Sequence, residues 1–388
     1  MSNSRSPFGD IPTPRSLLDF HRILSPTAGV RVSPLCLGAM NFGDAWKDMM
    51  GECNKQTTFE ILDYFFENGG NFIDTANSYQ AEESETWIGE WMAERGVRDQ
   101  MVVATKFTTC FPAHSRQPSL KVNYAGNSSK SLHISLEASL KKLQTSYIDL
   151  LYVHWWDWST SIPELMQSLN DMVAAGKVLY LGVSDTPAWI VSKANEYARN
   201  HGLRQFTVYQ GHWSAASRDF ERDILPMAQA EGMALAPWGA LGRGNFKSDA
   251  ERARNEGRKS LGTSETDIRV SKKLEEIATV KGTLITSVAL AYVMHKAPYV
   301  FPIVGGRKVE HLKGNIEALG LELTEQEIDE IDAASAFDIG FPMSMLFEFI
   351  SGKKYNTRMT TADVGPLKFA GNIDAVANPA PIKPHKKL

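Results

Sequence analysis

Short apolar runs alternate along the chain with longer segments in which apolar residues recur every three or four positions. The short runs are rich in β-branched and aromatic residues and predict buried strands, whereas the longer segments have the period of amphipathic helices. Eight runs qualify as strands, at residues 35–39, 71–76, 101–107, 148–154, 178–184, 206–210, 233–238 and 299–305. Eight repeats of strand and helix favour a (β/α)8 TIM barrel of the α/β class over an open doubly wound sheet. No GxGxxG follows the first strand, which weakens the doubly wound alternative further.

Several segments fall outside this repeat. Residues 21–32 hold two short apolar runs around a turn, which predicts an N-terminal hairpin that plugs the barrel. Polar insertions at 108–130 and 241–266 predict long loops after strands 3 and 7. We therefore expect a flexible segment at 1–19, a barrel at 20–335, and a C-terminal tail at 336–388 that lies partly over the barrel mouth and is partly disordered.

Composition narrows the class of protein. The 388 residues carry a formal net charge of -4, which gives no electrostatic case for a nucleic-acid partner. No apolar run approaches the roughly 18 residues of a membrane span, and the N-terminus lacks the apolar core of a signal peptide. The three cysteines form neither a CxxC pair nor a zinc spacing, so we expect no metal and no disulfide framework. These features predict a cytoplasmic protein without a membrane partner.

Polar residues stand where the predicted strands end. In a TIM barrel the carboxyl ends of all strands meet at one face, so these side chains are predicted to share one site. In chain order they are Asp74 with Tyr79 just beyond it, Lys106, His154, Ser184 with Asp185, Gln210 and Trp238. Singly, each has an ordinary structural interpretation, such as a surface lysine or a core histidine. Four ionisable or proton-carrying groups at matching strand ends favour a catalytic site.

The first four residues of this set, from Asp74 to His154, are suited to proton transfer. A phenol has a pKa of about 10, and a neighbouring cation lowers it by favouring the phenolate. Lys106 can supply that cation, and Asp74 on the neighbouring strand can keep a buried lysine charged. His154 would then reach the substrate oxygen. The set suits general acid catalysis by Tyr79 on a carbonyl oxygen, with a hydride coming from elsewhere.

At this point the chain resembles the aldo-keto reductase family, whose catalytic tetrad is Asp, Tyr, Lys and His on consecutive barrel strands. The resemblance covers about residues 20–335 and rests on FIDTANSY, VVATKF, LLYVH and GVSD, in that order. The segments LAPWGALGRG and FPIVGGRKVEHLKGNIEAL resemble the fungal aryl-alcohol dehydrogenase branch, which includes norsolorinic acid reductases of polyketide pathways. The tetrad implied is Asp74, Tyr79, Lys106 and His154.

The resemblance also implies NADPH as hydride donor, bound across the barrel mouth. Ser184, Asp185 and Gln210 would bind its carboxamide, and Trp238 would stack on the nicotinamide ring, as an aromatic face suits a flat ring. The family usually has Asn where Asp185 stands, and a carboxylate can accept a hydrogen bond from the amide but cannot donate one.

The other end of the cofactor would lie after strand 8. Gly305 and Gly306 precede a predicted helix whose N–H groups can face an anion, and nearby cations predict a site for the 2′-phosphate. These cations are Arg307, Lys308 and His311; Asn315 matches the family position that contacts adenine, and Leu241, Arg243 and Asn245 would lie against the pyrophosphate. The alternative for Arg307 and Lys308 is a solvated helix start.

Aromatic residues follow the first and fourth strands, which indicates a flat apolar substrate or, equally, aromatic packing beneath loops. The predicted pocket residues are Phe42, Trp46, Trp155 and Trp156. The leading hypothesis is NADPH-dependent, reversible reduction of an aromatic aldehyde or ketone, in secondary metabolism. Two alternatives are a cofactor-binding regulatory subunit, similar to potassium channel β-subunits, and a metal-dependent barrel hydrolase. The nine scattered histidines, with no HxH, disfavour the hydrolase. The substrate, the physiological direction and the oligomeric state stay open.

Overall fold

A computed structural model of the chain describes residues 9–253, 262–335 and 337–385. The strands are β1 (Arg22–Ser25), β2 (Ala28–Val32), β3 (Cys36–Gly38), β4 (Phe72–Asp74), β5 (Val102–Phe107), β6 (Ile148–Val153), β7 (Val178–Ser184), β8 (Phe206–His212), β9 (Ala234–Trp238) and β10 (Ile303–Val304). The helices are α1 (Lys47–Met50), α2 (Lys55–Glu67), α3 (Glu83–Arg95), α4 (Ser129–Lys142), α5 (Ile162–Ala174), α6 (Ala188–Asn200), α7 (Ile224–Ala230), α8 (Asp249–Ala253), α9 (Glu265–Lys281), α10 (Ile285–Lys296), α11 (Val309–Glu317), α12 (Glu325–Ala334) and α13 (Phe349–Ser351).

The strands β3 to β10 form one parallel, eight-stranded sheet that closes on itself. Its order is β10-β3-β4-β5-β6-β7-β8-β9, so neighbours in the chain are neighbours in the sheet. The seam is closed just before β10, where Leu235 N donates to the carbonyl of Tyr299 at 2.9 Å and Phe301 N donates to the carbonyl of Leu235 at 2.8 Å. Each predicted strand is present, and the predicted TIM barrel is confirmed.

Two apolar layers hold the barrel together. Strands β5 and β6 are buried on both faces, as expected for parallel strands covered by helices. Leu150 and Tyr152 of β6 point into the barrel, whereas Leu151 and Val153 pack outward against the helices. This alternation of period two decides which side chains reach the lumen.

The predicted N-terminal hairpin is confirmed. Strands β1 and β2 pair antiparallel, and Leu24, Ala28 and Val32 belong to the inner apolar layer together with Phe72 and Val102. Phe72 and Val102 begin β4 and β5, so the hairpin covers the N-terminal end of the barrel. The polar strand ends are at the opposite face.

Both terminal segments contact the rest of the molecule at particular residues. Residues 1–8 of the predicted flexible segment 1–19 fall outside those ranges, and Leu17–Asp19 form a short 3-10 helix with Leu18 buried. In the tail, the Phe337 ring lies 4.9 Å from the Arg218 guanidinium, and Phe20 stacks on His385 at 3.7 Å. The predicted loop after the seventh strand falls partly on residues 254–261, outside the described ranges.

No single helix in the described ranges is long and apolar enough to span a membrane. Among the described helices, α9 and α10 taken together have the length and apolar composition of a span, but the chain bends by 100° between them.

Candidate active site

The polar strand ends meet because of strand parity. Phe72, Ala104, Tyr152, Val208 and Ala236 all belong to the inner apolar layer. The residue two positions further along each strand lies on the same side of the sheet, one layer nearer the carboxyl ends. Those residues are Asp74, Lys106, His154, Gln210 and Trp238. Five side chains from five strands therefore surround the top of one lumen.

Lys106 is the centre of this cluster. Its side chain is fully buried, and its Nζ donates to Asp74 Oδ1 at 2.5 Å, to the carbonyl of Thr75 at 2.7 Å and to Tyr79 Oη at 3.3 Å. Burial alone would lower the pKa of Lys106, but the Asp74 carboxylate and Tyr79 outweigh it and the pKa is raised. The lysine is therefore a cation held against the phenol oxygen.

Tyr79 comes from a short 3-10 helix directly after β4. Burial raises its pKa above the ordinary value, and the charge of Lys106 opposes that rise without reversing it. Lys106 therefore lowers the pKa of the phenol in the expected direction, but the free-energy cost of burying the phenolate is larger and the net shift is upward. The phenol is protonated at neutral pH, as a proton donor must be.

His154 follows β6 and lies beside the phenol, with the two rings 6.0 Å apart in an edge-to-face arrangement. Burial, and then the charge of Lys106, lower the pKa of His154 to about 3. The imidazole is therefore neutral at physiological pH and carries one ring N–H.

Gln210 reaches across the lumen from β8. Its Nε2 donates to Asp74 Oδ2 at 2.9 Å, while the other oxygen of that carboxylate accepts from Lys106. Sequence reasoning assigned Gln210 to the cofactor carboxamide alone. In the structure its amide also orients the carboxylate that keeps Lys106 charged.

Ser184, Asp185 and Trp238 form a second polar group on the same face. Asp185 Oδ2 accepts from the Ser184 hydroxyl at 2.9 Å, and Asp185 Oδ1 accepts from Trp238 Nε1 at 3.3 Å. Asp185 adopts a positive φ of 44°, a left-handed conformation that Asp and Asn tolerate better than most residues other than glycine. Burial raises the pKa of Asp185, and the hydroxyl and the indole N–H oppose that rise. An acceptor at this position holds the indole, which is a role that either Asp or Asn can perform.

Sequence reasoning missed His212. Its ring stacks on Trp238 with centroids 4.4 Å apart and planes inclined by 12°. One face of the indole is thus covered by the imidazole. His212 ends β8, two residues beyond Gln210, and period-two spacing could have identified it.

After β10, two cationic side chains precede a helix whose N-terminus has no side-chain cap. Arg307 and Lys308 line a cavity of about 380 Å³ with Asn54 and Thr57 of α2 and its cap; its other lining residues are Glu52, Glu60, Val309 and Glu310. Helix α11 begins at Val309, and its cap residue Lys308 makes no side-chain hydrogen bond to the first turn. Gly305 and Gly306 lie in the preceding loop, where Asn41 Nδ2 donates to the carbonyl of Gly306. Asn41 is a second residue that sequence reasoning missed.

The remaining predicted cofactor residues are placed as follows. Asn315 is buried on α11 and His311 is exposed one turn earlier. Leu241 is half-buried and Arg243 is exposed, with a positive φ of 53°. Asn245 is buried, and its Nδ2 donates to the carbonyl of Gly262 and to Asp267 Oδ2, both at 3.2 Å. The amide of Asn245 thus anchors its own loop to α9, and its predicted contact with a pyrophosphate stays a prediction.

The four predicted pocket aromatics divide into two pairs. Trp46 lies edge-to-face on Tyr79 with ring centroids 6.4 Å apart, and Trp155 is 39% exposed beside His154. Phe42 and Trp156 are buried in the apolar layer between barrel and helices. Trp46 and Trp155 are therefore the two placed at the mouth.

Among the described residues, no group of three or more His, Cys, Asp and Glu side chains is arranged to hold a metal ion. In the site, Lys106 and Gln210 each donate a side-chain hydrogen bond to the Asp74 carboxylate.

Comparison with known proteins identifies the family of this chain. A family model described as the Aldo/keto reductase family matches residues 34–336. The chain is 59% identical over 373 residues to norsolorinic acid reductase A of Aspergillus parasiticus, covering 96% of this chain and 95% of that protein. It is 57% identical over 394 residues to norsolorinic acid reductase B of Dothistroma septosporum, covering 99% of each. It is 53% identical over 379 residues to an aryl-alcohol dehydrogenase of Pestalotiopsis microspora, covering 96% of this chain and 95% of that protein. The chain belongs to the aldo/keto reductase family of oxidoreductases.

Proposed function

We propose that this protein catalyses the NADPH-dependent, reversible reduction of an aromatic aldehyde or ketone to the alcohol. The observation that carries the proposal is the buried chain from Asp74 through Lys106 to the Tyr79 hydroxyl, with the neutral His154 beside that hydroxyl. Relatives named as reductases of norsolorinic acid and as an aryl-alcohol dehydrogenase support an aromatic substrate.

Tyr79 is the proton donor in this proposal. Its phenol, kept protonated by burial, gives its proton to the carbonyl oxygen as that oxygen gains negative charge. The resulting phenolate is stabilised by the Lys106 ammonium 3.3 Å away, which Asp74 and Gln210 hold in place. In the oxidative direction the same phenolate takes the proton from the alcohol.

His154 and the aromatic residues orient the substrate. A neutral imidazole can donate one hydrogen bond to the carbonyl oxygen without competing for the transferred proton. Trp46 and Trp155 border the mouth beside Tyr79 and His154, and their flat faces suit an aryl ring.

The residues present fit a nicotinamide cofactor. Trp238 stacks one face on His212 and its N–H is held by Asp185, and in this proposal a flat ring would stack on its other face. Asp185, Ser184 and Gln210 offer oxygen and amide groups for a carboxamide. Arg307 and Lys308, before the uncapped start of α11, suit a phosphate. When bound, NADPH supplies the hydride that the carbonyl carbon receives.

Tyr79→Phe tests the proposal. We expect the variant to lose at least about a hundredfold in kcat for aldehyde reduction, since only the proton donor is removed. The dissociation constant for NADPH, measured by tryptophan fluorescence, should stay within about twofold of the wild-type value, because no proposed cofactor contact changes.

Initial rates with several classes of compound would identify the substrate class. Wild-type initial rates should be measured with NADPH and NADH against aryl aldehydes, aryl alcohols and polycyclic ketones. Turnover retained by Tyr79→Phe would refute the proton-donor assignment. No wild-type turnover with any of these compounds, together with tight NADPH binding, would favour a cofactor-binding regulatory role.

A further inference from the structure

One hydroxyl in the structure contacts both His154 and its neighbour. Thr109 Oγ1 lies 3.3 Å from His154 Nδ1 and accepts a hydrogen bond from Trp155 Nε1 at 3.2 Å. Thr109 comes from the segment after β5, whereas His154 and Trp155 follow β6. The contact therefore joins the two strand ends that flank the proposed carbonyl site.

The hydrogen-bond donors and acceptors around Thr109 favour one tautomer of the His154 imidazole. An indole nitrogen can only donate, so it occupies a lone pair of the threonine oxygen. The neutral imidazole has one ring N–H, at Nδ1 or at Nε2. If Nδ1 is unprotonated, it accepts the Thr109 proton and each polar group is paired. If Nδ1 carries the proton, the Thr109 O–H has no acceptor within hydrogen-bonding distance among the residues described.

The backbone around Thr109 is held in an unusual conformation. Thr108 has a φ of 91°, a region that β-branched residues avoid and that costs about 1–3 kcal/mol. Its hydroxyl donates to Asn127 Oδ1 at 2.8 Å and accepts from the backbone N–H of His154 at 3.2 Å. The fully buried Asn77 donates through Nδ2 to the carbonyl of Thr109 at 3.0 Å. Three buried side chains thus hold the backbone from which the Thr109 side chain projects.

We infer that Thr109 is a positioning residue that holds His154 in the Nε2-protonated tautomer. With Nδ1 accepting from Thr109, the remaining ring nitrogen carries the only N–H and is free to donate to a substrate oxygen. Trp155 takes part by directing the threonine proton toward the imidazole. The consequence for catalysis rests on the proposed function, whereas the tautomer itself does not.

The wild-type protein tests the tautomer without any turnover. Histidine labelled with 15N reports which ring nitrogen bears the proton through its chemical shift, and the His154 signal is identified by its loss in His154→Gln. We expect an Nε2-protonated ring at pH 7. A His154 ring protonated at Nδ1 would overturn the inference, whatever the enzyme reduces.

Two substitutions distinguish the effect of the Thr109 hydroxyl from the effect of the side-chain volume. Thr109→Val keeps the shape and removes the hydroxyl, whereas Thr109→Ser keeps the hydroxyl. We expect Thr109→Val to shift the His154 signal toward a mixture of tautomers and to lower kcat for carbonyl reduction by about three- to tenfold, the effect of one neutral hydrogen bond. The KM for NADPH should not change, and Thr109→Ser should restore both the signal and the rate.

The outcomes distinguish this inference from the proposed function. A Thr109→Val protein with the wild-type tautomer and the wild-type rate would overturn the role of Thr109. Unchanged rates in Thr109→Ser with reduced rates in Thr109→Val support it. If the tautomer responds as expected but no carbonyl compound is reduced by the wild type, the inference stands and the proposed function fails.

Discussion

The stability of the fold should depend on pH through single residues, and His154 is the clearest case. Its pKa is about 3 in the folded protein because burial, and then Lys106, disfavour the imidazolium. An imidazole in an unfolded chain titrates near a pKa of about 6.5. Between these two values the unfolded chain binds a proton that the folded chain does not. The free energy of unfolding should therefore fall as the pH falls from about 6.5 toward 3.

The comparison of wild type with His154→Gln checks this sign. The melting temperature of each should be measured by calorimetry at several pH values from 7 to about 4.5. We expect the wild type to lose more than the variant as the solution becomes acidic, because the variant lacks the group that titrates. A difference between the two that is constant across this range would contradict the low pKa of His154.

The proposed preference for NADPH over NADH can be tested at single positions. A Cβ built on Gly51 would lie 1.6 Å from Arg307 Nη1, and Gly51 has a φ of 83°. The guanidinium therefore lies directly over a backbone that only glycine suits. We expect Gly51→Ala and Arg307→Ala each to weaken NADPH binding by about tenfold or more, and NADH binding by much less.

Equilibrium binding followed by tryptophan fluorescence measures both nucleotides without turnover. Lys308→Ala serves as the matched control, since Lys308 is exposed beside Arg307 and should have the smaller effect. Equal losses for NADPH and NADH in Arg307→Ala would remove the assignment of the 2′-phosphate site.

At the scale of elements, helices α3 and α4 contact each other through backbone. A Cβ on Gly89, in α3, would lie 2.2 Å from the carbonyl oxygen of Lys142 and 2.7 Å from Leu143 Cα at the end of α4. Backbone cannot move aside as a side chain can, so Gly89→Ala should destabilise the protein by about 1–3 kcal/mol. Urea denaturation followed by circular dichroism gives the change in midpoint.

Gly314 offers the matched control within α11. A Cβ there meets only Leu284 Cδ1 at 3.5 Å, which is ordinary van der Waals contact. Gly314→Ala should leave stability unchanged or raise it by up to about 1 kcal/mol, because alanine has the higher helix propensity. A Gly89→Ala protein as stable as Gly314→Ala would show that α3 and α4 can separate without cost.

The tail is held to the rest of the molecule by contacts with α12 and with the loop after β8. Arg218, on the loop after β8, pairs with Glu221 at 2.8 Å and lies 3.3 Å from Asp332 of α12, with the Phe337 ring against its guanidinium. Further along, Arg358 pairs with Asp329 at 2.5 Å. These contacts run along α12, and the predicted closure of the tail over the mouth stays a prediction.

Removal of residues 337–388 tests the role of the tail. Because the barrel closes without it, we expect the shortened protein to fold, with a lower melting temperature from the lost contacts along α12. Because the described contacts of the tail run along α12, the KM for an aryl aldehyde should stay within about threefold of the wild-type value. A KM raised by tenfold or more, with the KM for NADPH unchanged, would indicate that the tail covers the substrate.

Much of this arrangement follows from sequence alone. Apolar runs separated by helix-period segments predict the barrel, because parallel strands must be buried on both faces. Period two along those runs also places Asp74, Lys106 and His154 at one end of one lumen, since alternate residues share a face. Those are local properties of the chain, and local patterns are enough to specify them.

Tertiary structure alone decided how the grouped residues act on one another. The raised pKa of Tyr79, the link from Gln210 to Asp74 and the contact of Thr109 with His154 depend on distances between residues far apart in the chain. No pattern along the chain carries those distances, because burial and hydrogen bonding across a barrel depend on how all eight strands close. The sequence by itself determined which strand ends share one face of the barrel, and the closed barrel decided which of their side chains are protonated, paired and oriented.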